Sequence, residues 1–519
     1  MDDSVVNKMR LVVVLAGGRV PGWLRSLIDS LHESDSVDVQ AIVAITDEGD
    51  ATNSSTLLRF WKRLDQGLFE RDRPVDLDVS YSRESINDLP LPVADVVVWM
   101  CPHRPPVGLL SKVKYGFVSI ANSFRLEYGL AEFIGGQPAT ECHVVRFGKS
   151  PGEDLILATG AVATDGLSLT RGLVELRAVG NTLLVATLSR LRSYGDSGVP
   201  VPQLDVPGVL RLVAGLTGLY LRYLVRFPSR FFAFDQWQMA YRVGGERLDQ
   251  SGLTRLAPDH GGFWADPFVI EHDDRKMLFF EEFSEELGRG HIAVMEFQAD
   301  GRFDDPVSVL MCPYHLSYPF VFEFDGSLFM IPESAEAKKV EVFSCTRFPD
   351  VWEPHSTLFD GVRAYDATLV EHEGQWWMFM TIQQGGNSPN EALHLFYADS
   401  PFADWTPHPL NPIGLDVRNS RPAGKLFRDN GRLYRPAQNC SGRYGRAIVI
   451  REVRRMTTTE YEEVTASEIS CAWAGDAHAT HTINQSAGIT VYDCEVRRGK
   501  RGINSSRSNR QQPISHATD

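Results

Sequence analysis

The first part of the chain alternates fully apolar runs with amphipathic ones. Residues 9–18 (Met-Arg-Leu-Val-Val-Val-Leu-Ala-Gly-Gly) carry consecutive apolar positions, the pattern of a strand buried on both faces, and run into a glycine turn. Trp23, Leu24, Leu27, Ile28 and Leu31 follow at helical spacing. Residues 39–45 predict a second strand and 56–69 a second helix; 94–100 and 116–120 predict two more buried strands, and 170–191 a longer helix. Strands alternating with helices predict a doubly wound α/β domain, assigned to residues 1–195.

From Trp237 the period shortens to that of strands. Residues 276–283 and 291–297 read as a hairpin pair, and the arrangement repeats at 327–331 with 340–344, 376–382 with 393–398, and 433–437 with 446–453. Asp325-Gly326-Ser327, Glu373-Gly374-Gln375 and Asn430-Gly431-Arg432 supply hairpin turns, where glycine takes positive φ. Each repeat opens on a similar phrase: Phe263-Trp264-Ala265-Asp266-Pro267-Phe268, Ser317-Tyr318-Pro319-Phe320, Ala364-Tyr365-Asp366-Ala367, Ser420-Arg421-Pro422-Ala423-Gly424 and, more weakly, Ala477-His478-Ala479-Thr480-His481-Thr482. Openings about 50 residues apart match the period of propeller blades. A five-bladed, all-β propeller is therefore expected over 237–496.

Residues 196–236 are expected to link the domains. A Gly-, Pro- and Ser-rich stretch leads into the apolar segment 209–234, which carries Arg211, Arg222, Arg226 and Arg230 among Tyr220, Tyr223, Phe227, Phe231 and Phe232. Arginine with aromatics and no acidic side chain through residue 234 suits either a helix on an anionic membrane surface or an interdomain helix covered by its neighbours. The end of the chain, 497–519, is basic and reads as a disordered tail.

Composition narrows the function classes. A net charge of −15 disfavours general nucleic-acid binding, which needs clustered Lys and Arg. The seven cysteines are odd in number and lack a Cys-x-x-Cys, which favours buried thiols in a reducing compartment over a zinc site. Gly17-Gly18 lacks the G-x-G-x-x-G spacing and reads as a plain turn. No metal or cofactor is expected. No run reaches the ~18 apolar residues of a membrane span, so the expected location is cytoplasmic, with 209–234 as the place for peripheral contact with a membrane's inner face.

If the repeats are blades, the polar residues opening them converge. Asp266, Asp366, Arg421 and His481 would gather around one central pocket. Arg421 suits a carboxylate or phosphate through its planar fork; His481 fits a core position as well as a site. Trp264, Tyr318 and Tyr365 stand beside these positions and could stack on sugar faces or pack the blades.

Asp266 before Pro267 opening the first repeat, with Asp366 opening the third, resembles the five-bladed glycoside hydrolases of the arabinanase and xylosidase type (family 43). That resemblance implies Asp266 as general base, Asp366 as a modulator of pKa, and a glutamate as acid. Glu333 is the first choice for the acid, with Glu281 or Glu282 the second, although Glu333 ends a strand where the family's acid opens a passage. The phrases Trp264-Ala265-Asp266-Pro267-Phe268, Tyr318-Pro319-Phe320-Val321, Ile331-Pro332-Glu333, Asp366-Ala367-Thr368-Leu369, Ser420-Arg421-Pro422-Ala423-Gly424 and Arg435-Pro436-Ala437-Gln438 more closely resemble the N-terminal propeller module of the glucosamine inositolphosphorylceramide transferases. The implied ligand is a sugar or glycoconjugate; a counterpart of the separate glycosyltransferase domain of those proteins is not expected in this sequence.

The N-terminal domain resembles, over roughly 9–195, the formyltransferases that use formyltetrahydrofolate. Gly116-Phe117-Val118-Ser119-Ile120-Ala121-Asn122-Ser123 is similar to that family's Gly-x-x-Asn-x-His-Pro-Ser. The family's asparagine, histidine and aspartate fall on Ser119, Ala121 and near Pro151, which supply neither base nor oxyanion donor. Three functions follow as expectations: glycosyl transfer or hydrolysis in surface polysaccharide or glycolipid synthesis; glycan binding without catalysis by two retired enzyme domains; or formyl or acyl transfer to an amino sugar by the N-terminal domain.

Overall fold

The computed structural model describes residues 8–17, 19–45, 56–69, 75–76, 81–83, 94–125, 127–192, 199–201, 207–226, 233–245, 248–258, 262–499 and 511–513. The chain divides into two compact units, Met1–Leu221 with Gly385–Asn387, and Arg222–Gln384 with Ser388–Asp519.

The first unit is built on a mixed sheet. Among the described residues its strands run in the order Val199–Pro200, Leu155–Ala163, Ala139–Arg146, Phe117–Ile120, Val96–Met100, Met9–Ala16, Val37–Ile45, Tyr81–Arg83. The last five are parallel neighbours, as the apolar runs predict. The first three are antiparallel additions. The connection between Ala139–Arg146 and Leu155–Ala163 is too short for a crossover, so the chain must turn back on itself. The helix Gly22–Glu33 buries Trp23, Leu24, Leu27, Ile28 and Leu31. The helix Leu169–Arg190 packs beside it, with Asn181 Nδ2 donating to the Trp23 carbonyl at 2.8 Å. Leu109 and Val113 cover strand residues Val12, Val14 and Trp99 in a separate cluster.

The second unit is a five-bladed propeller. Blade one comprises Phe263–His272, Arg275–Ser284, Arg289–Glu296 and Val307–Leu310; blade two Ser317–Phe324, Ser327–Glu333, Lys339–Arg347 and Val351–Asp360. Blade three contains Ala364–His372, Gln375–Ile382, Ala392–Ala398 and Thr406–Pro407; blade four Phe427–Asp429, Arg432–Asn439, Ala447–Met456 and Tyr461–Ser470. Blade five joins Ala477–Ala479, Ile483–Ser486 and Ile489–Gly499 to Ala233–Val243 from the other end of the unit, which pairs antiparallel from Ala233↔Gly499 to Val243↔Ile489. This pairing ties the two ends of the unit into one sheet and removes two exposed edges.

Apolar clusters complete the ring. One spans blades one to three, a second blades three and four, a third blades four and five, and a fourth blades five and one. In blades one to four two consecutive left-handed residues turn the first strand into the second (Asp273-Asp274, Asp325-Gly326, Glu373-Gly374 and Asn430-Gly431), and in blade five Ala487-Gly488 turns Ile483–Ser486 into Ile489–Gly499. Paired positive φ angles are the signature of the tight turn whose twist matches the flanking strands.

Several expected boundaries shift. Residues 233–236, read as linker, are strand, because their partner lies more than 250 residues away. Val199–Pro200 of the same linker adds to the first unit's sheet, and Val209–Arg226 is helical. Phe227, Arg230, Phe231 and Phe232 of the apolar–basic segment lie outside the described residues. Of the expected tail, Arg497 and Arg498 belong to a strand and Gln511–Pro513 pairs with Thr254–Leu256; 500–510 and 514–519 lie outside the described residues.

Candidate functional site

The openings of the blades share a backbone device. In blades one, two and three the register with the second strand skips between Ala265 and Phe268, Ser317 and Phe320, and Tyr365 and Thr368. The residue in each skip takes the left-handed conformation: Asp266 at φ 51°, Tyr318 at φ 43° and Asp366 at φ 56°. Such a bulge re-aims one side chain off the alternating face of the strand. Holding a non-glycine residue there costs about 1–3 kcal/mol, so the surrounding bonds must over-determine it. Arg421 and His481 occupy the matching openings of blades four and five.

These side chains are bonded to one another. Arg421 Nε donates to Asp366 Oδ2 at 2.6 Å and Nη2 to Oδ1 at 3.2 Å, while Gln438 Nε2 donates to the same Oδ2 at 2.9 Å. Asp366 is 1% exposed. On the other side, His481 Nε2 lies 3.0 Å from Asp266 Oδ1 and Nδ1 lies 2.9 Å from Asp493 Oδ2. Thr482 Oγ1 donates to Asp266 Oδ1 at 2.8 Å, and the Tyr318 backbone N–H donates to Oδ2 at 3.2 Å. Asp493 also accepts from the backbone N–H groups of Asp266, His481 and Thr482, which locks blade five to blade one.

The protonation states follow from these partners. A ring with a carboxylate at each nitrogen is an imidazolium. Burial works against the charge on His481, but Asp493 and Asp266 outweigh it and raise its pKa to about 10. Burial would lift the Asp266 carboxyl, yet His481 holds it below the ordinary value. Asp366 is raised by burial despite Arg421. Asp266, His481 and Asp493 have donor atoms within 4.8 Å of one another, the spacing of a cation site. With the ring protonated the three side chains form an ion-paired triad; a cation held at the same spacing would take the ring's lone pair in place of the proton.

A second acidic group stands beside the first. Burial, then Asp366, raises Glu333, whose Oε1 accepts from the Ala335 N–H at 2.8 Å and Oε2 from Ser317 Oγ at 3.1 Å. Glu281 is also raised by burial, although His315 Nε2 lies 3.2 Å from its Oε1. Burial opposes charge on His315, and the neighbouring Glu281 favours it. Gly290 N–H donates to His315 Nδ1 at 3.0 Å, however, and a proton on Nδ1 would face that N–H. The directed bond decides: the ring carries its proton on Nε2, toward Glu281.

Two of the three expected aromatic contacts belong to packing. Trp264 is 1% exposed, with its indole N–H donated to Glu282 Oε1 at 3.0 Å; blade contacts with Phe280 leave no face for a ligand. Tyr318 is 0% exposed and edge-on to Phe268, its hydroxyl accepting from Gly424 N–H at 2.8 Å and bonded to Thr368 Oγ1 at 2.8 Å. Tyr365 is half-buried, and with Tyr444 it brackets Arg421, whose guanidinium carbon lies 5.2 Å from each ring centroid. Tyr444, 40% exposed, was not singled out from the sequence, nor were Asp493 and His315. An aspartate inside the apolar strand Ile489–Gly499 is the signal that could have flagged Asp493; Tyr444 and His315 carry none.

In the first unit, Ser119, Ala121 and Pro151 line one cavity of about 550 Å³, together with Asn122, His103 and Asp154. His143 is not among its walls and bonds Thr159 instead. Asp154 Oδ1 accepts from Gly148 N–H at 2.8 Å and Oδ2 is paired with Arg104.

Residues 254–486, which contain all five blade-opening side chains and Glu333, match the sequence profile of the N-terminal region of glucosamine inositolphosphorylceramide transferase 1. The rice protein of that name (Oryza sativa subsp. japonica) is 34% identical over 220 residues, 41% of this chain and 29% of the rice protein. The Arabidopsis thaliana protein is 33% identical over 206 residues, 39% and 27% of the respective chains. The match therefore spans under a third of each of these relatives. Among solved structures, an exo-beta-1,3-galactanase from Clostridium thermocellum aligns at 16% identity and TM-score 0.33, covering 43% of this chain and 59% of that one. An alpha-L-arabinofuranosidase from the same organism aligns at 13% and 0.32, covering 47% and 99%. The chain is thus similar, through its propeller, to the N-terminal region of glucosamine inositolphosphorylceramide transferase 1.

Proposed function

We propose that the propeller binds the sugar portion of a glycoconjugate where its five blade openings converge, and that it serves glycolipid or polysaccharide synthesis. The observation that carries this reading is the convergence itself. One bulged or blade-opening residue from each blade meets in a bonded network, so a polar floor is organised before any ligand arrives. Tyr365 and Tyr444 are the stacking surfaces in this reading, and Glu333 and Arg421 the hydrogen-bonding groups. The similarity to a glucosamine inositolphosphorylceramide transferase supports a sugar conjugate as the ligand class. The test is thermal stabilisation of the full chain by sugars and glycan fragments: at least one should raise the midpoint in the wild type and fail with Tyr444→Ala. A panel that stabilises neither protein contradicts the proposal.

Glycosyl transfer or hydrolysis is the second reading, and one observation favours it. Asp266 is held ionised while Glu333 and Glu281 are pushed toward the protonated form, the division of labour that cleavage of a glycosidic bond requires. Asp266→Asn should then abolish turnover with folding intact; full turnover in that variant removes the reading. We also place the chain in a reducing, cytoplasmic compartment, because its seven cysteines are odd in number and include no Cys-x-x-Cys. No described helix is long and apolar enough to cross a membrane. Peripheral contact through 209–226 is proposed from the exposure of Leu210, Leu221 and Leu224, and flotation with anionic vesicles would test it.

A further inference from the structure

The first unit holds a cavity that the proposed propeller function does not use. It lies beyond the carboxyl ends of the neighbouring parallel strands Val96–Met100 and Phe117–Ile120, with walls formed by the segments that leave them, 101–104 and 121–125. Open α/β sheets bind ligands outside the carboxyl ends of their strands, because adjoining connections diverge there and leave a crevice. A volume of about 550 Å³ lies within the range of small-molecule sites.

The lining has a definite chemistry. Arg104 and Arg125 contribute cationic groups, and Phe124, Phe147, Ile120 and Val145 an apolar wall. Arg104 is fixed in place: Nη1 pairs with Asp154, Nη2 donates to the Gly148 carbonyl at 2.8 Å, and its guanidinium lies over the Phe147 ring at 5.1 Å. Arg125 is held only loosely, 3.8 Å from Glu127, so most of its donors remain available. Ser123 lines the wall but is 2% exposed, and its hydroxyl oxygen is closed off from the cavity, so the two arginines are the cationic donors that a ligand can reach.

We infer that this cavity is a binding site for a small organic anion with a flat, apolar body. The anionic group lies toward Arg125 and Arg104, and the ring rests between Phe124 and Phe147. The site is independent of the propeller, and formyl transfer plays no part in it: Ser119, Ala121 and Pro151 give it shape without acid–base groups.

The test is calorimetric titration of the full chain with adenosine monophosphate, indoleacetate and, as the neutral match, adenosine. One or both anions should bind saturably and adenosine at least about tenfold more weakly, with Arg125→Ala reducing anion affinity about tenfold. Saturation by the phosphate alone or the carboxylate alone would support the site and identify the anion. Absence of saturable binding of both anions up to about 10 mM, or binding unchanged in Arg125→Ala, would overturn the inference. Arg125 is largely exposed, so its variant should fold, and a normal circular dichroism spectrum verifies this.

Discussion

Replacing His481 by Gln tests the electrostatics of the propeller floor. Both ring nitrogens face carboxylates, Asp266 and Asp493, and the pKa is raised to about 10 against an ordinary value near 6.5. A group whose pKa rises on folding contributes its full stabilisation below the unfolded value and loses it as pH climbs toward the folded one. Each pH unit in that window is worth about 1.4 kcal/mol, so the whole interval represents roughly 4–5 kcal/mol and the step from pH 6.5 to 9 about 3 kcal/mol. The lowered Asp266 carboxyl reflects the same attraction and is not added to it. The site is buried, so solvent screening takes little away. Urea unfolding of wild type and His481→Gln at the two pH values gives the change for the triad as a whole, since titrating groups outside it cancel. The wild type should lead by about 3 kcal/mol more at pH 6.5 than at pH 9. A lead that does not change with pH would show that the ring is not an imidazolium and refute the assignment.

Arg421→Met should destabilise the propeller by roughly 3–5 kcal/mol, because it leaves Asp366 charged and buried, and adding Asp366→Asn should recover a large part of that loss in thermal unfolding. A single variant costing under about 1 kcal/mol would contradict a buried pair. Tyr318→Phe should cost about 1–3 kcal/mol by stranding the Gly424 N–H; a neutral effect in urea unfolding would argue against that bond. Gly424→Ala should cost more than about 2 kcal/mol, since φ is 130° and an added Cβ would collide with the Ile483 carbonyl oxygen. Wild-type stability in that variant would mean that the blade four–five contact is loose.

What could be read from the sequence was local or repeated. The turn at Glu373-Gly374 announces itself through glycine, and the phrases around Asp266 and Asp366 recur because the same bulge recurs in the same place. The turn Asp273-Asp274 has the same geometry without glycine and left no such mark. The strand Ala233–Val243 was missed as an element because its register is set by Ile489–Gly499, a pairing that no neighbouring residue encodes. Side-chain direction was the other gap. Tyr318 and Tyr365 both sit in blade-opening phrases, yet Tyr318 occupies the bulge itself and turns into the core, while Tyr365 precedes one and lies over Arg421. Whether an aromatic beside a bulge faces ligand or core depends on that one-residue offset. His315 became visible only when folding set it against Glu281 and Gly290, which come from another blade.

The central claim is that the converging blade openings bind a sugar. Saturation-transfer NMR on the full chain, with methyl glycosides of glucosamine, galactose, arabinose and xylose, tests it most directly. Saturable contacts with at least one glycoside are expected, weakened about tenfold or more by Tyr365→Ala and by Tyr444→Ala. Saturable contacts that neither substitution alters would place sugar binding elsewhere, and no contacts up to about 10 mM would contradict a sugar site in this propeller.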